Sequence, residues 1–283
     1  YVFDYGFTSG NSYTAIQTND LSSLSAISIS TWFKYNSGIA SFSNLFDLEG
    51  NIKLLNWTST AQIRFQGSGG STDRHIINTT FEVDRWYNLT LTYNGTSAKC
   101  YIDGDISKGF DVTASNLALT SSQNKFNIGS STSNSNRWDG FISNTAMFNY
   151  ELTNSQAVLI YNNGTPSDLT SLSPIGWWKQ NSNDIFITNN IGSVNFTIID
   201  YGSDSNNGNM INAVSGSLQQ GNLQHVSGFS PYALDFSGIT AHLKTNTIPA
   251  QTNTVTLSAW VKRTGDAGTS AGVFGIRNSG GPM

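Results

Sequence analysis

The 283-residue chain carries 14 Lys and Arg against 18 Asp and Glu, for a formal net charge of -4. Its basic residues are scattered, which excludes the basic stripe that a phosphate backbone demands, so nucleic acid is not an expected partner. Only 11% of residues are charged, while Asn, Ser and Thr make up about a third of the chain, so amides and hydroxyls supply the surface polarity.

No apolar run approaches the roughly 20 residues needed to cross a bilayer, so no membrane insertion by helix is expected. Strand patterns dominate instead. In AISISTWFK, Ile27, Ile29, Thr31 and Phe33 alternate with Ser28, Ser30, Trp32 and Lys34, the period of a half-buried strand. NLFDLEG and QIRFQ continue the strand signal. In WYNLTLTYNG, Tyr87, Leu89, Leu91 and Tyr93 share one face; Asn94-Gly95 then supplies a hairpin turn, KCYIDG returns, and Asp103-Gly104 turns again. The lone Cys100 has no disulfide partner and reads as a small buried hydrophobe. FNIGSS and WDGFISNTAMFNY are further strands. One helix is predicted from Thr153, where Gln156 completes a capping box and Leu152 could staple to Ala157. Ala157, Val158, Ile160 and Tyr161 should dock it, and Gly164 should end it.

The opening YVFDYG returns late in the chain as YALDFSG. Aligning the two brings AISISTWFK onto TVTLSAWVK and NLFDLEG onto GVFGIRNSG, with Trp32 opposite Trp260, Lys34 opposite Lys262 and Phe46 opposite Phe274. This is an internal duplication. It predicts a complete module over residues 1–165, a linker over 166–176, and a second module of the same type over 177–283, incomplete at its C-terminal end. That module is prefaced by IGWWKQ and NFTIIDYGSDSNNGNM, and the chain is expected to be a window on a longer polypeptide.

WYNLTLTYNGTSAKCYIDG resembles the Trp-initiated hairpin of the laminin-G-like, concanavalin A-like superfamily. FNIGSS, WDGFISNTAMFNYELT and the helix ending LIYNNGT are similar to its closing elements, and YALDFSG and DYGSDSNNGNM to its opening ones. The resemblance implies an all-β, antiparallel jelly-roll sandwich with a curved outer face that in many members binds glycans. Tandem modules of this composition also resemble fibre and decoration proteins of bacterial viruses. Calcium-binding members place acidic residues after the closing F-x-G, whereas here Gly140-Phe141-Ile142 is followed by Ser143 and Asn144. Asp4, Asp139 and Asn144 remain as the candidate ligands for a calcium ion.

Catalysis is not expected. Glycoside hydrolysis usually needs two carboxyl groups on facing positions, yet the chain has only three Glu, and the candidate acid pair is Glu82 with Asp84 at i, i+2. The resemblance would require a further Glu where Trp86 or Tyr87 stands. His75, His225 and His242 lack the short spacing of zinc sites. Aromatic side chains are the better lead, because sugar rings stack on Trp while polar groups bond their hydroxyls. Trp32, Trp260 and Trp86 recur on the polar strand faces and read as structural. Trp57 and Trp138, beside turns in LNWTST and SNRWDG, are the candidate sugar contacts, with Arg74 and Arg137 as polar companions. The expected protein is a non-catalytic virion or extracellular surface component that attaches to cell-surface glycans. Other surface proteins or copies of itself are further expected partners. An architectural protein without a sugar site, and the accessory region of a secreted hydrolase, are the alternatives.

Overall fold

A computed structural model of the chain describes residues 2–5, 12–35, 42–56, 63–66, 74–77, 79–113, 124–180, 185–190, 193–211 and 218–219. All belong to the first of two compact units, Tyr1–Gly228. The described strands build two antiparallel sheets stacked as a sandwich. Sheet A runs β10 (Asp105–Thr113), β9 (Ser97–Ile102), β8 (Trp86–Tyr93), β3 (Ile27–Tyr35), β12 (Gly140–Phe148), β1 (Val2–Asp4), β17 (Leu218–Gln219), and β13 (Gly176–Trp178) also pairs along β12. Sheet B runs β14 (Ile185–Asn190), β15 (Ser193–Ile198), β16 (Gly208–Ile211), β2 (Tyr13–Gln17), β11 (Lys125–Ile128), β4 (Asn44–Leu48), β5 (Ile52–Asn56), β6 (Ile63–Gln66), β7 (Arg74–Ile76).

The predicted alternation places the core. Ile27, Ile29, Phe33, Leu89, Leu91 and Cys100 from sheet A meet Phe46, Leu48, Leu54, Phe126 and Ile128 from sheet B in one buried cluster. Burial pushes the Cys100 thiol well up, so it stays protonated and inert. The hairpin between β8 and β9 closes at Asn94-Gly95. Gly95 takes the left-handed conformation, and the Asn94 carboxamide oxygen accepts hydrogen bonds from the backbone N–H groups of Thr96 and Ser97. At the next turn both Asp103 and Gly104 are left-handed, as a tight two-residue hairpin requires.

Helix α1 (Asn154–Tyr161) starts on the predicted capping box. Gln156 N–H donates to Thr153 Oγ1 at 3.3 Å, and Thr153 N–H donates to Gln156 Oε1 at 2.8 Å. Its C-cap is Asn162 rather than Gly164, because Asn162 already adopts the left-handed conformation. Ala157 and Ile160 dock on sheet A as expected, whereas Val158 faces solvent.

The sandwich runs past the boundary drawn at residue 165. Residues 176–211, read in the sequence as the end of a linker and the preface to a second module, add four strands to these same sheets. β13 lies along β12, and β14, β15 and β16 extend sheet B from β2. Packing explains why. Trp178 fills the shared core against Phe126, with ring centroids 5.5 Å apart. Gln180 joins a buried polar chain: Thr31 donates to Thr145 (2.9 Å), which donates to Gln180 Oε1 (3.2 Å), while Gln180 Nε2 donates to the Tyr5 hydroxyl (2.6 Å). Tyr5 in turn bonds Thr14 (2.9 Å), which reaches the Met210 sulfur at 3.4 Å. The chain of bonds crosses from sheet A to sheet B, and unpaired buried groups would be costly at every link. The expected second copy, from Tyr232 onward, lies outside the described residues.

Candidate functional site

The two outer faces differ. On sheet A, Ser28, Ser30, Trp32, Asn88 and Thr90 point away from the core, yet all are buried. Helix α1 and the segment after it cover them. Trp32 stacks on Tyr161 with ring centroids 5.9 Å apart, and Ala146 and Phe148 pack with Leu152, Ile160, Leu169, Leu172 and Trp177 in a second apolar cluster. Beneath that lid the polar groups satisfy one another. Asn88 Nδ2 and Thr90 Oγ1 donate to Ser30 Oγ at 3.2 and 3.0 Å, and Ser28 donates to the Tyr150 carbonyl at 2.7 Å.

On sheet B the outward positions line up across neighbouring strands. Thr197 opposes Asn209, Asn209 opposes Ala15, Ala15 opposes Asn127, Asn127 opposes Asp47, and Asp47 opposes Lys53. Lys53 opposes Gln66, and Gln66 opposes Arg74. Directly opposed residues share a face, so a row from Thr197 to Lys53, polar but for Ala15, crosses the middle of the sheet. Each member from Asn127 to Lys53 sits between core residues, Phe126 and Ile128, Phe46 and Leu48, or Ile52 and Leu54. Alternation therefore dictates the outward direction.

A serine-rich loop, residues 129–137, folds over the middle of this row. Asn127 Nδ2 donates to the Ser131 carbonyl at 2.8 Å and to Ser130 Oγ at 3.0 Å. Asp47 accepts Thr132 N–H on Oδ2 and Gly50 N–H on Oδ1, both at 2.9 Å. The hydroxyls of Ser131, Ser133 and Ser135 lie 2.9 to 3.0 Å from one another. At the loop's end Arg137 donates to the Asn134 carbonyl (2.9 Å) and lies over the Tyr13 ring, 4.8 Å from its centroid. Gly129 turns the chain into the loop with φ +80°, and a Cβ there would come within 2.5 Å of the Tyr5 ring.

Desolvation raises the Asp47 carboxyl above its ordinary range, partly offset by the Thr132 N–H, by Lys53 at 4.0 Å and by the Gly50 N–H. Asp47 is thus a buried anchor for the loop, and Lys53, Asn209, Ser133, Ser135 and Arg137 lie around it on the same face. Amide, hydroxyl, ammonium and guanidinium groups offer donors and acceptors suited to a polyhydroxylated ring. Paired-carboxyl chemistry does not fit the acid pair read from the sequence. Glu82 and Asp84 flank a turn with Asp84 in the left-handed conformation, and both carboxylates are solvent-exposed. A hydrogen bond and the charge of Lys34 hold Asp84 below its usual range, the wrong direction for a general acid.

Of the four expected sugar contacts, the structure brings Arg137 to this face by contact, while Arg74 is described only by the pairing of its backbone with Gln66 on β6. Trp138 does not reach it. It is 0% exposed, with its ring 4.8 Å from Tyr35 and 5.8 Å from Phe33, so no sugar can stack on it. Its burial instead anchors the loop that carries Arg137. Trp57 lies outside the described residues. Of the expected calcium ligands, Asp139 immediately precedes β12 and Asn144 lies five residues further on within it, a span on the order of 15 Å at about 3.3 Å per residue. Asn144 is buried in a β-bulge, its N–H bonded to the Lys179 carbonyl at 3.1 Å, and the Asp4 backbone pairs with Phe141. Sequence reasoning missed Asp47, Lys53 and Asn127. Their signal was a lone polar residue between apolar ones in NLFDLEG, IKLLN and FNIG.

The family model of the concanavalin A-like lectin/glucanases superfamily matches residues 8–158. Among solved structures, a candidate carbohydrate-binding protein from Bacteroides ovatus is similar, with a TM-score of 0.56 and 17% identity over 72% of this chain and 57% of that one. A heptameric SAP-like pentraxin from Limulus polyphemus has a TM-score of 0.43 and 12% identity over 56% of this chain and 80% of its own. Domain 4 of AbnA, a GH43 extracellular arabinanase from Geobacillus stearothermophilus, has a TM-score of 0.40 and 18% identity over 51% and 70%. The chain thus spans little more than half the length of the Bacteroides protein. No curated protein sequence matches it.

Proposed function

Because the chain belongs to the concanavalin A-like lectin/glucanase superfamily, we propose that it is a non-catalytic module that attaches a virion or other extracellular surface to cell-surface glycans, as a fibre or decoration component. One observation carries this reading. The outer face of sheet B presents a row of amide, hydroxyl and cationic side chains beneath a fixed serine-rich loop, while helix α1 closes most of the opposite face. The Asn-, Ser- and Thr-rich, charge-poor composition suits an exposed surface protein, and the Bacteroides neighbour is itself a candidate carbohydrate-binding protein. Single sugar contacts are weak, so display in many copies would supply avidity.

A glycan array tests the proposal. Binding to at least one oligosaccharide class is expected, and a Lys53→Ala, Asn209→Ala double variant should lose at least about tenfold in affinity with its melting temperature unchanged. Undiminished binding by that variant, or silence across the array, would overturn it. A second reading, an architectural module that contacts other proteins, draws on Val158 and Leu159, which are 49% and 45% exposed on helix α1. Association that is abolished by charged substitutions at these two positions would favour it.

A further inference from the structure

The lid on sheet A ends with the stack of Tyr161 on Trp32. The next outward row consists of Trp86, Lys34 and Phe141, directly opposed across β8, β3 and β12. Trp86 is half-buried, whereas Trp32, Trp138, Trp177 and Trp178 are all at most 5% exposed. It is therefore the most exposed of the described tryptophans. Phe141 lies beside it, ring centroids 6.1 Å apart and tilted by 58°. The Lys34 side chain is only 9% exposed, and its ammonium is held 4.5 Å from the Phe141 centroid and 2.8 Å from Asp84 Oδ1. Asp84 itself is 80% exposed, on a turn fixed by its N–H bond to the Tyr35 carbonyl at 3.1 Å.

We propose that this row is a second saccharide subsite, independent of the sheet B face, that takes one neutral hexopyranose ring. The ring's axial C–H face stacks on Trp86, and its hydroxyls bond the Asp84 carboxylate and the Lys34 ammonium. The chemistry selects that class. An apolar ring edge beside a buried cation and an exposed carboxylate offers a flat apolar platform together with fixed donors and acceptors. Asp84 already neutralises Lys34, so an anionic ligand gains no net attraction and meets the exposed carboxylate. Lys34 also keeps Asp84 ionised into the acidic range, which preserves it as an acceptor. A molecule with this row and the sheet B face would grip a glycan layer from both sides of one sandwich, the geometry in which linked sites gain avidity.

The test is a titration of the 15N-labelled chain with methyl β-galactopyranoside and methyl β-glucopyranoside, read at the tryptophan indole N–H signals. The Trp86 signal is assigned by its absence in Trp86→Phe. Saturable movement of that signal is expected with at least one sugar. Asp84→Asn should weaken it about tenfold, since Asn tolerates the left-handed backbone that Asp84 adopts, and Lys34→Met should do likewise. Lys53→Ala should leave it unchanged, which separates this subsite from the sheet B reading. A Trp86 signal unmoved by both sugars, or one that saturates with undiminished affinity in both Asp84→Asn and Lys34→Met, would overturn the proposal.

Discussion

Both sheets alternate apolar and polar side chains, and the polar half meets a different fate on each. On sheet A, Ser30, Asn88 and Thr90 turn outward into a bonded cluster roofed by helix α1, so polarity there is spent internally. On sheet B, Asn127 and Asp47 also turn outward, but what covers them is a short loop held by their own side chains, and Lys53 and Asn209 remain accessible beside it. A polar strand face therefore does not mark a binding surface by itself. What decides is whether the chain supplies an apolar lid, and the helix after β12 supplies one only to sheet A.

The largest expected effect breaks the lid. Trp32→Ala removes a ring that is outward yet 1% exposed and stacked on Tyr161, and should cost about 3 to 5 kcal/mol in denaturant unfolding. Gln180→Leu, which takes one hydrogen-bond partner from each of the Tyr5 and Thr145 hydroxyls, should cost about 2 kcal/mol and would show that residues 176–211 are integral to this sandwich. A smaller, pH-dependent effect should come from Asp47. Desolvation holds its folded pKa above the unfolded value of about 3.9, so the folded state binds the proton more readily. Its contribution to stability is full below about pH 4 and is lost as pH rises through the raised folded value. Asp103 and Asp200 are shifted in the same direction, chiefly by burial. Melting curves across that range should fall for the native chain and fall less for Asp47→Asn. The smallest change in stability, under about 0.5 kcal/mol, is expected for Lys53→Ala, although its sugar binding should drop.

Much of the sandwich is legible in the sequence because local rules and tertiary packing agree. The period-2 faces of β3 and β8, the turns at Asn94-Gly95 and Asp103-Gly104, and the Thr153 capping box need no distant information. Trp138 is not legible in the sequence because a position beside a turn suggests exposure, while the aromatic pocket of Phe33 and Tyr35 that receives it forms only when distant strands meet. The place of residues 176–211 was hidden for the same reason. IGWWKQ resembles an opening strand wherever it occurs, and only the pairing with β12 and the bonds of Gln180 show which sandwich it completes. Asp47 was invisible because a single acid inside an apolar strand announces its direction but not the loop, 85 residues distant, that it anchors.

Hydrogen exchange with and without an oligosaccharide selected on the array most directly tests the contrast between the two faces. Slowed exchange at residues 44–56 and 125–137, with helix α1 unchanged, is the predicted result. Protection confined to residues 152–161, leaving the Asp47 and Asn127 strands untouched, would contradict it.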